Sequence, residues 1–215
     1  MMKKLVVIVS CLLIISCNSN SEKQNKSASR IENVGELIPE PDVNLRLEFE
    51  KKTIDSTIIK GQKPISYVLI DEKQKAIQSD LDGNKIENYE AQYLIYLDST
   101  KAIKAISEIP FSQSGDWYLK QIYYFDNQNR TFGIQKNFNT FQHDEKCGGG
   151  EAIFVNTVQF YDKGKQIGQN ETVRDKKNND LSKDPCGYFK IKMPFYANVF
   201  DLLDAAKIDL KENRK

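Results

Sequence analysis

The 215-residue chain has one histidine, one tryptophan and four cysteines, and its 31 basic side chains are offset by 30 acidic ones. Each scarcity excludes something. With His143 as the sole imidazole, zinc sites built on several histidines are ruled out. A Ser-His-Asp triad would have to use His143, and no Gly-x-Ser-x-Gly elbow marks a serine partner. The balance of charge argues against nucleic acid as a partner, because that affinity rests on basic clusters that neutralise phosphates. Lys51-Lys52 and Lys176-Lys177 are short and sit beside acids, as solvated loops do. No glycine-rich phosphate cradle or dinucleotide fingerprint is present, and no cofactor is implied. Beyond the first residues, no apolar run approaches the ~20 residues that span a bilayer core.

What is there begins at the N-terminus. Lys3 and Lys4 precede an almost uninterrupted apolar run from Leu5 to Ile15, and small Ser16 stands directly before Cys17. The run is too short for a transmembrane helix and suits the core of a secretory signal. Ile14-Ile15-Ser16-Cys17 resembles the bacterial lipobox, the cleavage site of lipoprotein signal peptides. The resemblance implies cleavage after residue 16 and lipid on Cys17. Two or more acyl chains anchor stably where one binds marginally. Asn18, where Asp often signals inner-membrane retention in such proteins, leans towards the outer membrane. The face of that membrane is open.

The expected organisation is a signal peptide over 1–16, a lipidated tether over 17–41 and a single β-rich domain over 42–215. Loss of Lys3 and Lys4 would leave that mature body near neutral, with 29 basic against 30 acidic side chains. Residues 18–41 are polar, lack apolar periodicity and end at Pro39-Glu40-Pro41, as a flexible tether does. Cys11 leaves with the signal and Cys17 is lipidated, so Cys147 and Cys186 remain. In an oxidising compartment they are expected to pair. Closing a loop of about 40 residues would contribute roughly 4 kcal/mol in the chain-entropy account.

The domain reads as α+β: an antiparallel sheet built from hairpins, with one to three short helices. Val43, Leu45, Leu47 and Phe49 alternate with polar residues and predict a strand. Tyr89–Leu97 repeats the pattern, and Trp117–Phe125 is aromatic and apolar on both faces, as in a central strand. Strands are also expected around Phe132–Phe138, Phe154–Phe160 and Tyr188–Met193, with residues 64–81 ambiguous. Asp126-Asn127-Gln128-Asn129-Arg130, Asp162-Lys163-Gly164-Lys165 and Asp82-Gly83-Asn84-Lys85 share turn chemistry suited to hairpins. Asn198 caps a helix whose Val199, Leu202, Leu203 and Ala206 form one apolar face. A shorter helix is expected over Thr100–Glu108, capped by Ser99 and stopped before Pro110.

Few constellations carry chemistry. His143 and Cys147 beside Gly148-Gly149-Gly150 are the residue types of a Cys/His hydrolase, yet Cys147 has Cys186 as a disulfide partner. Asp80, Asp82, Asn84 and Glu87 hint at a calcium loop, but Lys85 and Ala91 stand where an EF-hand needs Gly and Glu. No metal site and no catalytic residue are assigned. The aromatic run of β-type sequence is the binding candidate. If one face of that strand is exposed, Trp117 and Tyr123 share it and can stack on a sugar or grip a partner. Tyr96–Phe141, with Ser114-Gly115-Asp116-Trp117 and the Tyr-Phe-Asp turn, resembles uncharacterised lipoproteins of Bacteroidota, a likeness that brings no activity with it. The reading is a non-enzymatic envelope lipoprotein binding a protein or glycan. The alternative is an extracytoplasmic hydrolase working through paired carboxylates.

Overall fold

The computed structural model describes residues 42–71, 73–79, 89–141, 150–182 and 194–210, all within one compact unit, Glu40–Lys215. Cys17, His143, Cys147, Cys186, the Asp80–Glu87 loop and the Tyr188–Met193 strand lie outside the described residues, as do the signal and tether.

Eight strands form one antiparallel sheet: β1 Ile65–Leu69, β2 Ile77–Ser79, β3 Ala91–Leu97, β4 Ile103–Pro110, β5 Trp117–Phe125, β6 Thr131–Phe141, β7 Ala152–Asp162 and β8 Lys165–Asp175. Their spatial order is β2-β1-β3-β4-β5-β6-β7-β8. From β3 onward each strand therefore pairs with the next in sequence. Two helices complete the described elements, α1 Val43–Ile54, which runs on into a π-helical turn Asp55–Ile59, and α2 Val199–Ala205.

Sheet and helices meet through the period-two pattern. Tyr123 and Phe125 of β5 face α2 and join Ile95, Ile106, Val199, Leu202 and Leu203 in one apolar cluster. Ile122 and Tyr124, on the opposite face, pack with Tyr96 and Phe132 against Leu47, Ile54 and Ile58 of α1 and its π-turn. Hence the second half of β5, Ile122–Phe125, is buried on both faces, which explains its aromatic and apolar sequence. A third cluster, Leu119, Phe138, Ile153, Val155 and Val173, lies further along the α2-side face. Between it and the first runs a polar row, Tyr93–Glu108–Gln121–Lys136–Thr157–Glu171, set by the strand register.

The turns explain why the hairpins close where they do. At Asp98, Asp126 and Asp175 the aspartate backbone N–H donates to the carbonyl four residues on, at 2.9, 2.9 and 3.2 Å. In each, Oδ1 accepts from the N–H groups two and four residues on. The residue three on then takes positive φ: Lys101 at 69°, Asn129 at 61° and Asn178 at 68°. The aspartate side chain thus holds the left-handed residue in place. The turn at Asp162, whose sequence looks similar to that at Asp126, is of another kind. Lys163 and Gly164 both have positive φ, 49° and 80°, in a two-residue connection.

Two sequence expectations are corrected. Residues 43–49 are not a strand but the start of α1. Asp42 caps it by accepting from the Asn44 N–H at 2.9 Å. The apolar alternation misleads because Leu45 and Phe49 are 63% and 73% exposed, while the buried Leu47 and Ile54 stand seven residues apart, two helical turns. Residues 100–108 are not a helix but the end of a turn followed by the first part of β4. There Asp98, rather than Ser99, gathers the free N–H groups, and strand-favouring Ile103, Ile106 and Ile109 follow. α2 begins on its Asn198 cap, which accepts from Phe200 and Asp201 N–H at 2.9 and 3.0 Å.

Candidate functional site

Strand β5 carries the candidates, and its alternation separates them. Trp117 and Tyr123 do share a face, but it is the face beneath α2. Tyr123 is 0% exposed there, and its hydroxyl meets Glu108 Oε2 at 3.1 Å, the Pro194 carbonyl at 3.1 Å and the Gln121 amide at 2.7 Å. It offers no surface to a ligand, which corrects the expectation of an exposed Trp117–Tyr123 pair. Trp117 is half-buried against the Leu119–Phe138 cluster at the strand's end.

The surface lies on the other face of the same strand. α1 and its π-turn pack on the end of that face that carries Ile122, Tyr124, Phe132 and Phe160, and among the described residues no element covers β5–β8 beyond it. The register lays out two rows there. One is Tyr118–Asn139–Phe154–Arg174 and the next, towards α1, is Lys120–Asn137–Asn156–Thr172. Phe141 lies beyond the first row. With strands ~4.8 Å apart and side chains on one face repeating every ~6.8 Å, the field is about 14 Å on a side. Tyr118, Phe141 and Phe154 are 45%, 45% and 42% exposed. Together with Trp117, Asp116 and Asn139 they line a shallow depression of about 220 Å³.

The amides of this field are organised from beneath. The Tyr124 hydroxyl donates to Asp55 Oδ1 at 2.8 Å and stands 3.2 Å from Gln135 Oε1. The Gln135 amide donates to Asn137 Oδ1 at 3.2 Å, as does the Asn156 amide at 2.7 Å. This chain orients Asn137 and Asn156. Asn139, flanked by Tyr118 and Phe154, makes no side-chain hydrogen bond among the described residues and keeps both donor and acceptor to offer. Burial holds the Tyr118 hydroxyl above its ordinary range, with Tyr96 adding to the effect, so it remains a donor.

Sequence reasoning missed Tyr118, Lys120, Asn137, Asn139, Phe154 and Asn156. A signal was present: Gln135, Asn137 and Asn139 alternate with Ile134 and Phe138, which marks the open face as the amide face.

Carboxyl groups gather elsewhere. A cleft of about 230 Å³ between α1 and the Asp126 and Asp162 turns is lined by Glu50, Asp126, Asp162, Arg46, Arg130 and Lys163, among others. Burial raises the Glu50 carboxyl above its usual range, against the pull of Lys104 and with the help of Asp126. Asp126 is committed to its turn, one oxygen accepting from Gln128 and Arg130 N–H and the other from the Arg130 guanidinium at 2.8–2.9 Å. A carboxylate so engaged is poorly placed to act as base or nucleophile for Glu50. No group of three or more His, Cys, Asp or Glu that could hold a metal ion occurs among the described residues. No described helix is long and apolar enough to cross a membrane. No family model, curated protein or solved structure matches this chain.

Proposed function

We propose that this chain is a lipid-anchored envelope protein that binds a glycan, without turning it over, on the open half of its sheet. The observation that carries the reading is the row Tyr118–Asn139–Phe154, an amide between two exposed aromatic rings on a rigid surface. Sugars present apolar C–H faces that stack on aromatic rings, and adjacent hydroxyls that both donate and accept, as an amide side chain does. Strands hold such groups in fixed register, so little side-chain ordering opposes binding. A stable protein interface buries about 800 Å² on each partner, several times the area of a field about 14 Å on a side.

The anchor belongs to the proposal through the sequence alone: lipid on Cys17, a tether to residue 41 and the outer membrane as the favoured site. Mass analysis of the cell-derived protein tests it. Wild type should carry acyl mass and Cys17→Ser should not, and acyl mass on the variant would end the lipoprotein reading. Glycan binding is tested by titrating the purified protein with a panel of oligosaccharides, beside cross-linking in intact envelopes. Saturable binding that Tyr118→Ala weakens supports the reading. A specific cross-linked protein with no glycan binding would replace it with a protein partner.

A further inference from the structure

The field of amides also carries two cations, Lys120 and Arg174, that a neutral sugar does not call for. Lys120 stands in the row Lys120–Asn137–Asn156–Thr172, half-buried where the π-turn ends and the open face begins. Among the described residues its ammonium makes no ion pair or hydrogen bond. The nearest acid to act on it is Asp55, and Asp55 is already taken, by Lys51 Nζ at 2.8 Å and by the Tyr124 hydroxyl at 2.8 Å. Lys51 is held in turn over the Tyr124 ring, 4.8 Å from its centroid. The local acid is thus engaged from the α1 side, and Lys120 feels its charge without a hydrogen bond or ion pair to it.

The other charged side chain of the two rows has the same sign. Arg174 ends the Tyr118 row, and its guanidinium reaches Asn178 Oδ1 at 2.9 Å rather than a carboxylate. Neither row contains an aspartate or glutamate. Asp116 lines the depression beside Tyr118, so the positive charge is local to the row of Lys120, which is partly desolvated. Burial lowers the Lys120 pKa, with Asp55 opposing, as expected for a cation short of partners. An incoming anion would meet a charge that has already lost part of its hydration, where charge-assisted hydrogen bonds count for most.

Resting on the glycan reading above, we propose that the glycan is anionic, with a sugar carboxylate or sulfate meeting the Lys120 ammonium while the ring lies along Asn137, Asn139 and the Tyr118–Phe154 aromatics. Lys120 is the specificity residue and the aromatics supply affinity shared by any sugar.

The test compares oligogalacturonate with its fully methyl-esterified form, which keeps the linkage and loses the charge, and dextran sulfate with dextran. Wild type should prefer the charged member of one pair by about tenfold, from one hydrogen bond to a charged group. The preference should shrink with added salt, vanish in Lys120→Met and return in Lys120→Arg. The preferred pair identifies the anion as carboxylate or sulfate. Equal binding of charged and neutral members, both weakened by Tyr118→Ala, would overturn the anionic inference and leave the glycan reading standing. A charge preference that survives Lys120→Met would overturn the role of Lys120. Absence of binding to all four polymers would overturn the anionic inference, and the oligosaccharide panel then decides the glycan reading by itself.

Discussion

Replacing Glu108 by glutamine and by leucine distinguishes a buried carboxyl that keeps its proton from one that is charged and held by phenols. Glu108 is buried on the α2-side face. Its Oε1 lies 3.2 Å from the Tyr93 hydroxyl and its Oε2 3.1 Å from that of Tyr123. Burial raises its pKa, and the two phenolic hydrogen bonds oppose that rise. Proton counting supports the neutral form. Tyr123 has one hydroxyl proton and two acceptors within 3.1 Å, Glu108 Oε2 and the Pro194 carbonyl. A protonated Glu108 donates to Tyr123, freeing the Tyr123 proton for Pro194, while Tyr93 donates to the remaining carboxyl oxygen. Every group is then served. Glutamine keeps a donor for Tyr123 and an acceptor for Tyr93 but adds a second N–H that this pattern does not serve, so Glu108→Gln should cost about 1 kcal/mol at pH 5. Leucine leaves the Tyr93 hydroxyl without its acceptor and should cost about 1–3 kcal/mol. The pH dependence has a definite sign. Because the folded pKa lies above the unfolded value of about 4.3, the native state binds more protons in between, and stability falls as pH rises through that window. Urea unfolding of wild type and Glu108→Gln from pH 4 to 8 should therefore show the variant gaining on wild type as pH increases. If wild type instead gains on the variant, Glu108 is a stabilising carboxylate and the proton count is wrong.

Other expectations follow from the same packing. Tyr124→Phe removes a hydrogen bond to charged Asp55 across the α1–sheet interface, while Asp55 keeps Lys51. The loss should be about 1–2 kcal/mol in urea unfolding, and a neutral result would show that the Lys51 contact alone holds that end of α1. Thiol labelling of oxidised, unfolded mature protein should find neither Cys147 nor Cys186 free, and two labelled thiols would exclude the proposed disulfide.

How legible was this molecule in its sequence? The strands were legible where one face is wet or both are packed, as in Tyr89–Leu97 and Trp117–Phe125, because period-two alternation and unbroken apolar runs are direct consequences of the pleat. α2 could be read from the Asn198 cap and the spacing of Val199, Leu202, Leu203 and Ala206, which agree. α1 could not. Leu45 and Phe49 are apolar without being buried, so hydrophobicity there imitates a strand, and the Asp42 cap carries the better signal. The Ser99 region failed for a related reason: Asp98 competes for the same N–H groups and closes a turn. The site was half legible. The aromatic strand drew attention to the right element, but Tyr123 is the wrong side of it. Only the register with β6 and β7 shows that Tyr118 and Lys120 look out over the Asn137, Asn139 and Asn156 amides. Such cross-strand neighbours are set by pairing partners far away in sequence.

The most direct test of the central claim is the affinity of the purified protein for oligosaccharides, measured for wild type, Tyr118→Ala and Phe154→Ala beside their melting curves. Both rings are partly exposed, so melting should fall by only a few degrees, while each variant should weaken binding about three- to tenfold through the lost stacking. Wild-type binding that neither substitution alters would contradict the account by putting the ligand elsewhere than the open half of the sheet.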